Sequence, residues 1–126
     1  MLVSLNGVLQ DAVEKGYAVG AFNATNLESV IAIIRAAEET QKAVILNYAE
    51  VHAPLISIDE IGPIMLQYAK AASVPVCVHL DHGSCLESCM KAIRLGFTSV
   101  MLDASSADYE ENVRETAEIS RLAHSI

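Results

Sequence analysis

Four short, nearly continuous apolar runs recur along the chain, and a segment of helical periodicity follows each of them. The runs are residues 18–23 (AVGAFN), 43–49 (AVILNYA), 74–81 (VPVCVHLD) and 99–103 (SVMLD). The second to fourth do not alternate polar with apolar positions as a half-solvated strand does. They therefore read as parallel strands covered on both faces. The intervening segments carry apolar residues three and four apart, which predicts amphipathic helices. Leu27, Val30, Ile31, Ile34 and Ala37 form the first stripe, and Ile61, Ile64, Met65, Tyr68 and Ala72 the second, with Pro63 in its opening turn. Cys89, Ala92 and Ile93 mark the third, while Val113, Thr116, Ala117, Ser120 and Leu122 make a less regular fourth. Residues 4–15 predict an extra helix before the first strand, closed by Gly16.

Each predicted helix opens on a hydroxyl with an acid three residues later: Thr25/Glu28, Ser57/Glu60, Ser84/Glu87 and Ser105/Asp108. This is capping-box spacing, in which the hydroxyl accepts from the third helical amide and the acid reaches back. Gly96 then ends the third helix just before the fourth strand. Four β/α steps without a linker predict either half of a parallel (β/α)8 barrel or a small doubly wound sheet. Residues 19–23 lack G-x-G-x-x-G, which disfavours the dinucleotide-binding form of the second.

Composition narrows the function classes. The chain has 126 residues, 52% of them hydrophobic and 19% charged, enough apolar material for a packed core. Eight Lys and Arg face 16 Asp and Glu, for a net charge of −8, which argues against nucleic acid and against an anionic membrane surface. A phosphorylated small molecule stays compatible, because helix N-termini bind phosphate through backbone N–H groups. No apolar run approaches the roughly 20 residues of a membrane span, and the first residues carry no basic leader. Cys77, Cys85 and Cys89 are an odd set without a disulfide pattern, so free thiols and a cytoplasmic location are expected.

In a parallel barrel the chemistry gathers at the C-terminal ends of the strands. Those ends are polar here: Asn23, then Asn47 with Glu50, then Asp81-His82, then Asp103. Alternation puts Asp81 on the face of His79 and Cys77, with Val78 and Leu80 toward the helices. The same rule pairs Asp103 with Met101 and Ser99, and Asn23 with Ala21 and Val19. If those faces turn inward, Asn23, Asp81 and Asp103 converge on one mouth. A polar strand end is also a common turn former or helix cap. His79 is expected to be a satisfied interior histidine, His52, His124 and Glu50 to be solvated, and Cys85 and Cys89 to be neighbouring thiols rather than ligands. Asp81-His82-Gly83-Ser84, wedged between a buried strand and a helix start, is the segment that reads as functional on its own.

That segment carries a resemblance. Val76 to Ser84, with its His79-Leu80-Asp81-His82-Gly83 core, resembles the H-L-D-H-G signature of class II fructose- and tagatose-bisphosphate aldolases. Gly16 to Asn23 resembles the family's first strand, Ala92 to Met101 its third-helix-to-fourth-strand passage, and Asp103-Ala104-Ser105 its I-D-x-S segment. Glu110 to Val113 resembles the next helix. The resemblance runs over essentially the whole chain, and it implies an N-terminal helix and the first four β/α units of a (β/α)8 TIM barrel. Residues 1–126 would then be the N-terminal half of one domain. It further implies Zn²⁺-assisted, reversible aldol cleavage of fructose or tagatose 1,6-bisphosphate to dihydroxyacetone phosphate and glyceraldehyde 3-phosphate. His82 would be one of three histidine ligands of the metal, and Asp81 would move the proton of the C4 hydroxyl. Asn23 would hold substrate oxygens, and Asp103 would support the metal, as ligand of an alternative metal position. The family also implies a homo-oligomer, dimer or tetramer.

The sequence departs from the pattern at Ala49, where many members have Ser, and it contains neither the other two histidine ligands nor the phosphate-binding loops. The chain is therefore expected to be inactive alone. Two other readings compete: a non-catalytic half-barrel that self-associates through its open edges, and a different metal-dependent barrel enzyme sharing only the Asp-His strand end.

Overall fold

The computed structural model describes residues 1–126. Four parallel strands form one sheet in the order β1-β2-β3-β4: β1 (Ala21–Asn23), β2 (Val44–Ala49), β3 (Val76–Gly83) and β4 (Ser99–Leu102). A doubly wound sheet reverses its strand order at a switch point. Consecutive order with a helix in every crossover is instead the wall of a barrel, and the doubly wound alternative falls.

Helix α1 (Leu5–Lys15) precedes β1, and α2 (Leu27–Thr40), α3 (Ile58–Ala71), α4 (Leu86–Leu95) and α5 (Tyr109–Ala123) each follow a strand. The two faces of the sheet are covered differently. Leu46, Tyr48, Val76, Val78 and Leu80 pack with Val30, Ile34, Ile61, Met65 and Cys89 in the main core. Ile45 and Cys77, on the other face, pack with Val8 of α1. Helix α1 thus closes the inner side at the N-terminal end of the strands, helped by a Leu2–Val76 bridge and by the Met1 ammonium on the carbonyls of Ala72 and Val74. The opposite, C-terminal end is left open.

The expected helix starts hold only in part. Ser57 and Glu60 form the anticipated box at α3, and Gly16, at φ 70°, closes α1. At α2 the cap is Asn26, which accepts from Ser29 N at 2.8 Å, while the Ser29 hydroxyl accepts in return from Asn26 N. A shorter Asn/Ser box displaces Thr25/Glu28. Asp108 itself caps α5, accepting from Glu111 N at 2.9 Å, because Ser105 is already bound to Asp103. Helix α4 begins after Cys85, whose side chain makes no cap bond, so Ser84/Glu87 does not form. Pro63 lies in the second turn of α3 rather than the opening one, exposed to solvent.

Candidate active site at the open end of the strands

Strand β3 extends two residues beyond the expected Asp81, and its pairing with β4 slips there. Leu80 opposes Val100, but Gly83 opposes Leu102, so three steps on β3 match two on β4. Asp81 and His82 occupy this β-bulge. His82 has φ 51°, the left-handed region that an L-residue enters only when its surroundings hold it there. In an unbroken strand His82 would share the face of Leu80 and point into the helices. The bulge re-aims it to the rim, as bulges beside functional sites do. Gly83 is required next: a Cβ there would meet the Met101 carbonyl at 2.7 Å and the Cys89 sulfur at 3.0 Å.

At the rim, His82 Nδ1 lies 2.5 Å from Asp103 Oδ2, and its Nε2 lies 3.9 Å from Asp81 Oδ1. Asp103 also accepts from Ser105 N at 3.0 Å through its other oxygen, and its own N–H donates to the Gly83 carbonyl at 2.8 Å. The Asp103 hydrogen bond, seconded by the charge of Asp81, raises the His82 pKa above its ordinary value. Hydrogen bonds from Ser105 and then His82 hold Asp103 down to about 2. With Nδ1–H committed to Asp103, a neutral His82 keeps its Nε2 lone pair for a ligand on the side of Asp81.

The remaining polar strand residues form a row one layer deeper. Asn23, Asn47, His79 and Ser99 are in register across all four strands. His79 is the satisfied interior histidine anticipated: its Nδ1 lies 2.8 Å from Ser99 Oγ, and burial lowers its pKa. Asn23 stands two strands from His79, roughly 10 Å away, and makes no hydrogen bond to Asp81, His82 or Asp103. His82, Asp81 and Asp103 therefore come together, while Asn23 lines the same open face at a distance. Asn47, named among the polar strand ends but given no role, is 8% exposed, and its Oδ1 is buried with no partner. Its alignment beside Asn23 and His79 comes from the strand register, which the sequence does not state.

Two loop residues also differ from expectation. Glu50 is not a solvated acid: it accepts from Ser84 N and from the Ser88 hydroxyl on α4. His52 is half-buried, and its Nδ1 has no partner. His124 is exposed as anticipated, and all three thiols are free, Cys77 and Cys89 buried and Cys85 exposed. No helix is long and apolar enough to cross a membrane.

The donor set at the rim has the chemistry of a divalent-metal site. An imidazole whose second nitrogen is fixed by a carboxylate is the usual form of a metal-bound histidine. No three His, Cys, Asp or Glu side chains cluster into a complete cage, however, and tight zinc sites take three or four protein ligands. The residues fit part of such a site.

The chain is similar to known proteins over nearly its whole length. The family model of fructose-bisphosphate aldolase class-II matches residues 3–126. The fructose-bisphosphate aldolase of Thermus caldophilus is 47% identical over 126 residues, covering all of this chain and 41% of its own length. That of Staphylococcus aureus strain Mu50 is 43% identical, covering 98% of this chain and 44% of the relative. Among solved structures, the YdjI aldolase from Escherichia coli K12 superposes with a TM-score of 0.94 at 36% identity, over 98% of this chain and 48% of that one. The chain thus spans less than half the length of the relatives it matches, as four β/α units of a TIM barrel. By sequence and by fold, it belongs to the class II fructose-bisphosphate aldolase family.

Proposed function

We propose that this chain contributes the N-terminal half of a metal-dependent aldolase site, one that reversibly cleaves fructose or tagatose 1,6-bisphosphate to dihydroxyacetone phosphate and glyceraldehyde 3-phosphate. The observation that carries the reading is the bulge that brings Asp81 and His82 to the rim within reach of Asp103. His82 Nε2 would hold the metal, with ligands from outside these residues completing the site. The ion, when bound, supplies Lewis-acid polarisation of the ketone oxygen.

The protein's own residues do the rest. Asp103 fixes the tautomer and direction of His82 by keeping Nδ1–H. Asp81, half-buried beside the imidazole, takes the proton of the substrate's C4 hydroxyl as the C3–C4 bond breaks. The bond's electron pair stays on the three-carbon ketone fragment, which is then protonated at C3. Asn23 offers an exposed amide on the same open face for a substrate oxygen. The choice between fructose and tagatose configuration rests on residues facing C4 from the remainder of the barrel.

The test joins this chain to the C-terminal part of the Thermus caldophilus relative and follows cleavage of fructose 1,6-bisphosphate by a coupled assay. The chain alone should give no turnover, and the joined protein should give turnover that a chelator abolishes. Asp81→Asn should lower kcat by about 100-fold or more with zinc retained, whereas His82→Ala should lose both. Full activity in Asp81→Asn would overturn the assignment.

A further inference from the structure

We propose that Glu50 is a positioning residue for the Asp81–His82 bulge, tying the junction between β3 and α4 to the end of β2. This rests on the aldolase reading for its consequence but not for its geometry. An α-helix leaves its first N–H groups without partners, and a side chain or an anion normally satisfies them. Helix α4 lacks the ordinary remedy, because its N-cap residue is Cys85 and the thiol makes no cap bond. Glu50, 34 residues upstream of Ser84, instead grips the helix start on either side of Cys85, at the residue before the cap and at a first-turn hydroxyl. One carboxylate oxygen accepts from Ser84 N at 2.5 Å and the other from the Ser88 hydroxyl in the first turn of α4.

The location makes the contact consequential. Ser84 follows Gly83 directly, and Gly83 ends the bulge that holds His82 at φ 51°. The strained segment is gripped from two sides. On one side Asp103 N binds the Gly83 carbonyl, and on the other Glu50 binds Ser84 N. A carboxylate serves this purpose better than a neutral acceptor, since hydrogen bonds to a charged group are about twice as strong. Burial raises the Glu50 pKa, but the bonds from Ser88 and Ser84 outweigh it, so the acid stays ionised at neutral pH. Glu50 sits in the short 3-10 turn that follows β2. It therefore couples the end of one strand to the rim residues of the next. Without it, Ser84 N would turn to water and His82 would be free to relax from the left-handed region, taking Nε2 away from Asp81.

The experiment uses the whole chain without metal, so it stands apart from any assay of turnover. Amide hydrogen exchange at Ser84 and the ring-nitrogen NMR resonances of His82 are recorded for wild type, Glu50→Ala and Glu50→Gln. Exchange at Ser84 should accelerate about tenfold or more in Glu50→Ala, from loss of one charge-assisted bond. The His82 ring resonances should move in the same variant, while amides in the β2–β3 core keep wild-type protection. Glu50→Gln keeps an acceptor oxygen and should recover part of both effects. Unchanged Ser84 exchange, or unmoved His82 resonances in a folded Glu50→Ala protein, would overturn the positioning role. A joined aldolase that binds no zinc would count against the function proposed above and leave this result intact.

Discussion

A histidine is set up to take a ligand when one ring nitrogen is committed and the other is left free. At His82 the commitment is to Asp103, and the backbone holds the ring at the rim through a conformation that an L-residue avoids. The neighbouring thiols illustrate the opposite use of environment. Cys89 is pushed up to about 11 by burial, and burial also raises Cys77. Cys85 is exposed at the start of α4, where bonds from Ser88 lower its pKa. Thiolate is the reactive form, so iodoacetamide at neutral pH should label Cys85 first and leave Cys77 and Cys89 unmodified until the protein unfolds. Peptide mapping by mass spectrometry checks this; equal labelling of Cys89 in the native protein would contradict the packing described. The residue identities at the rim were legible in the sequence, because Asp81-His82-Gly83-Ser84 is wedged between a buried strand and a helix start. Their geometry was not, since no periodicity announces a bulge. Gly83, just past the apolar run read as the strand, was the available sign.

Elements explain why that bulge persists. Gly83→Ala would drive a methyl against the Met101 carbonyl and the Cys89 sulfur, and neither belongs to a flexible side-chain end. The expected cost is about 1–3 kcal/mol in urea denaturation, together with loss of the β3–β4 pairing at Leu102. A second contact of this rank ties α2 to the turn before β3. Glu38 accepts from Ser73 N at 2.8 Å and from its hydroxyl at 3.0 Å, and these bonds lower its pKa below 4.5. A depressed carboxylate contributes stability that is present above its unfolded pKa and fades as pH falls through its folded value. The melting difference between wild type and Glu38→Gln should therefore be greatest near neutrality and shrink as the pH drops below 4.5. A difference that grows in acid would reverse the assignment. The order of elements was readable from the four apolar runs and their helical stripes. Three of the four helix starts were not, because Asn26 and Asp108 set the first turn one and three residues later than the hydroxyls would, and the distant Glu50 takes the Ser84 amide. Sequence spacing cannot rank such rivals.

The whole molecule presents a geometric imbalance. The sheet has two edges, since β1 pairs only with β2 and β4 only with β3. The outer face is covered by four helices, while the inner face is covered only at its N-terminal end, by α1. Asn47 Oδ1 is buried on that face without a partner, and Phe22 in edge strand β1 is 53% exposed. Unpaired strand edges beside apolar surface recruit further strands, and a TIM barrel satisfies both edges by closing on itself. The 126-residue chain on its own should therefore associate with itself, with a sedimentation coefficient that rises over micromolar concentrations. Adding the C-terminal part of the Thermus caldophilus relative should replace that self-association with a one-to-one complex, because the remaining strands of a barrel satisfy both edges at once. In the same titration, Phe22→Lys should weaken the self-association, since a charge on an edge strand opposes pairing with a like copy. A chain that stays monomeric at every concentration, and ignores the complement, would mean that its edges are closed by some arrangement other than the wall of a barrel.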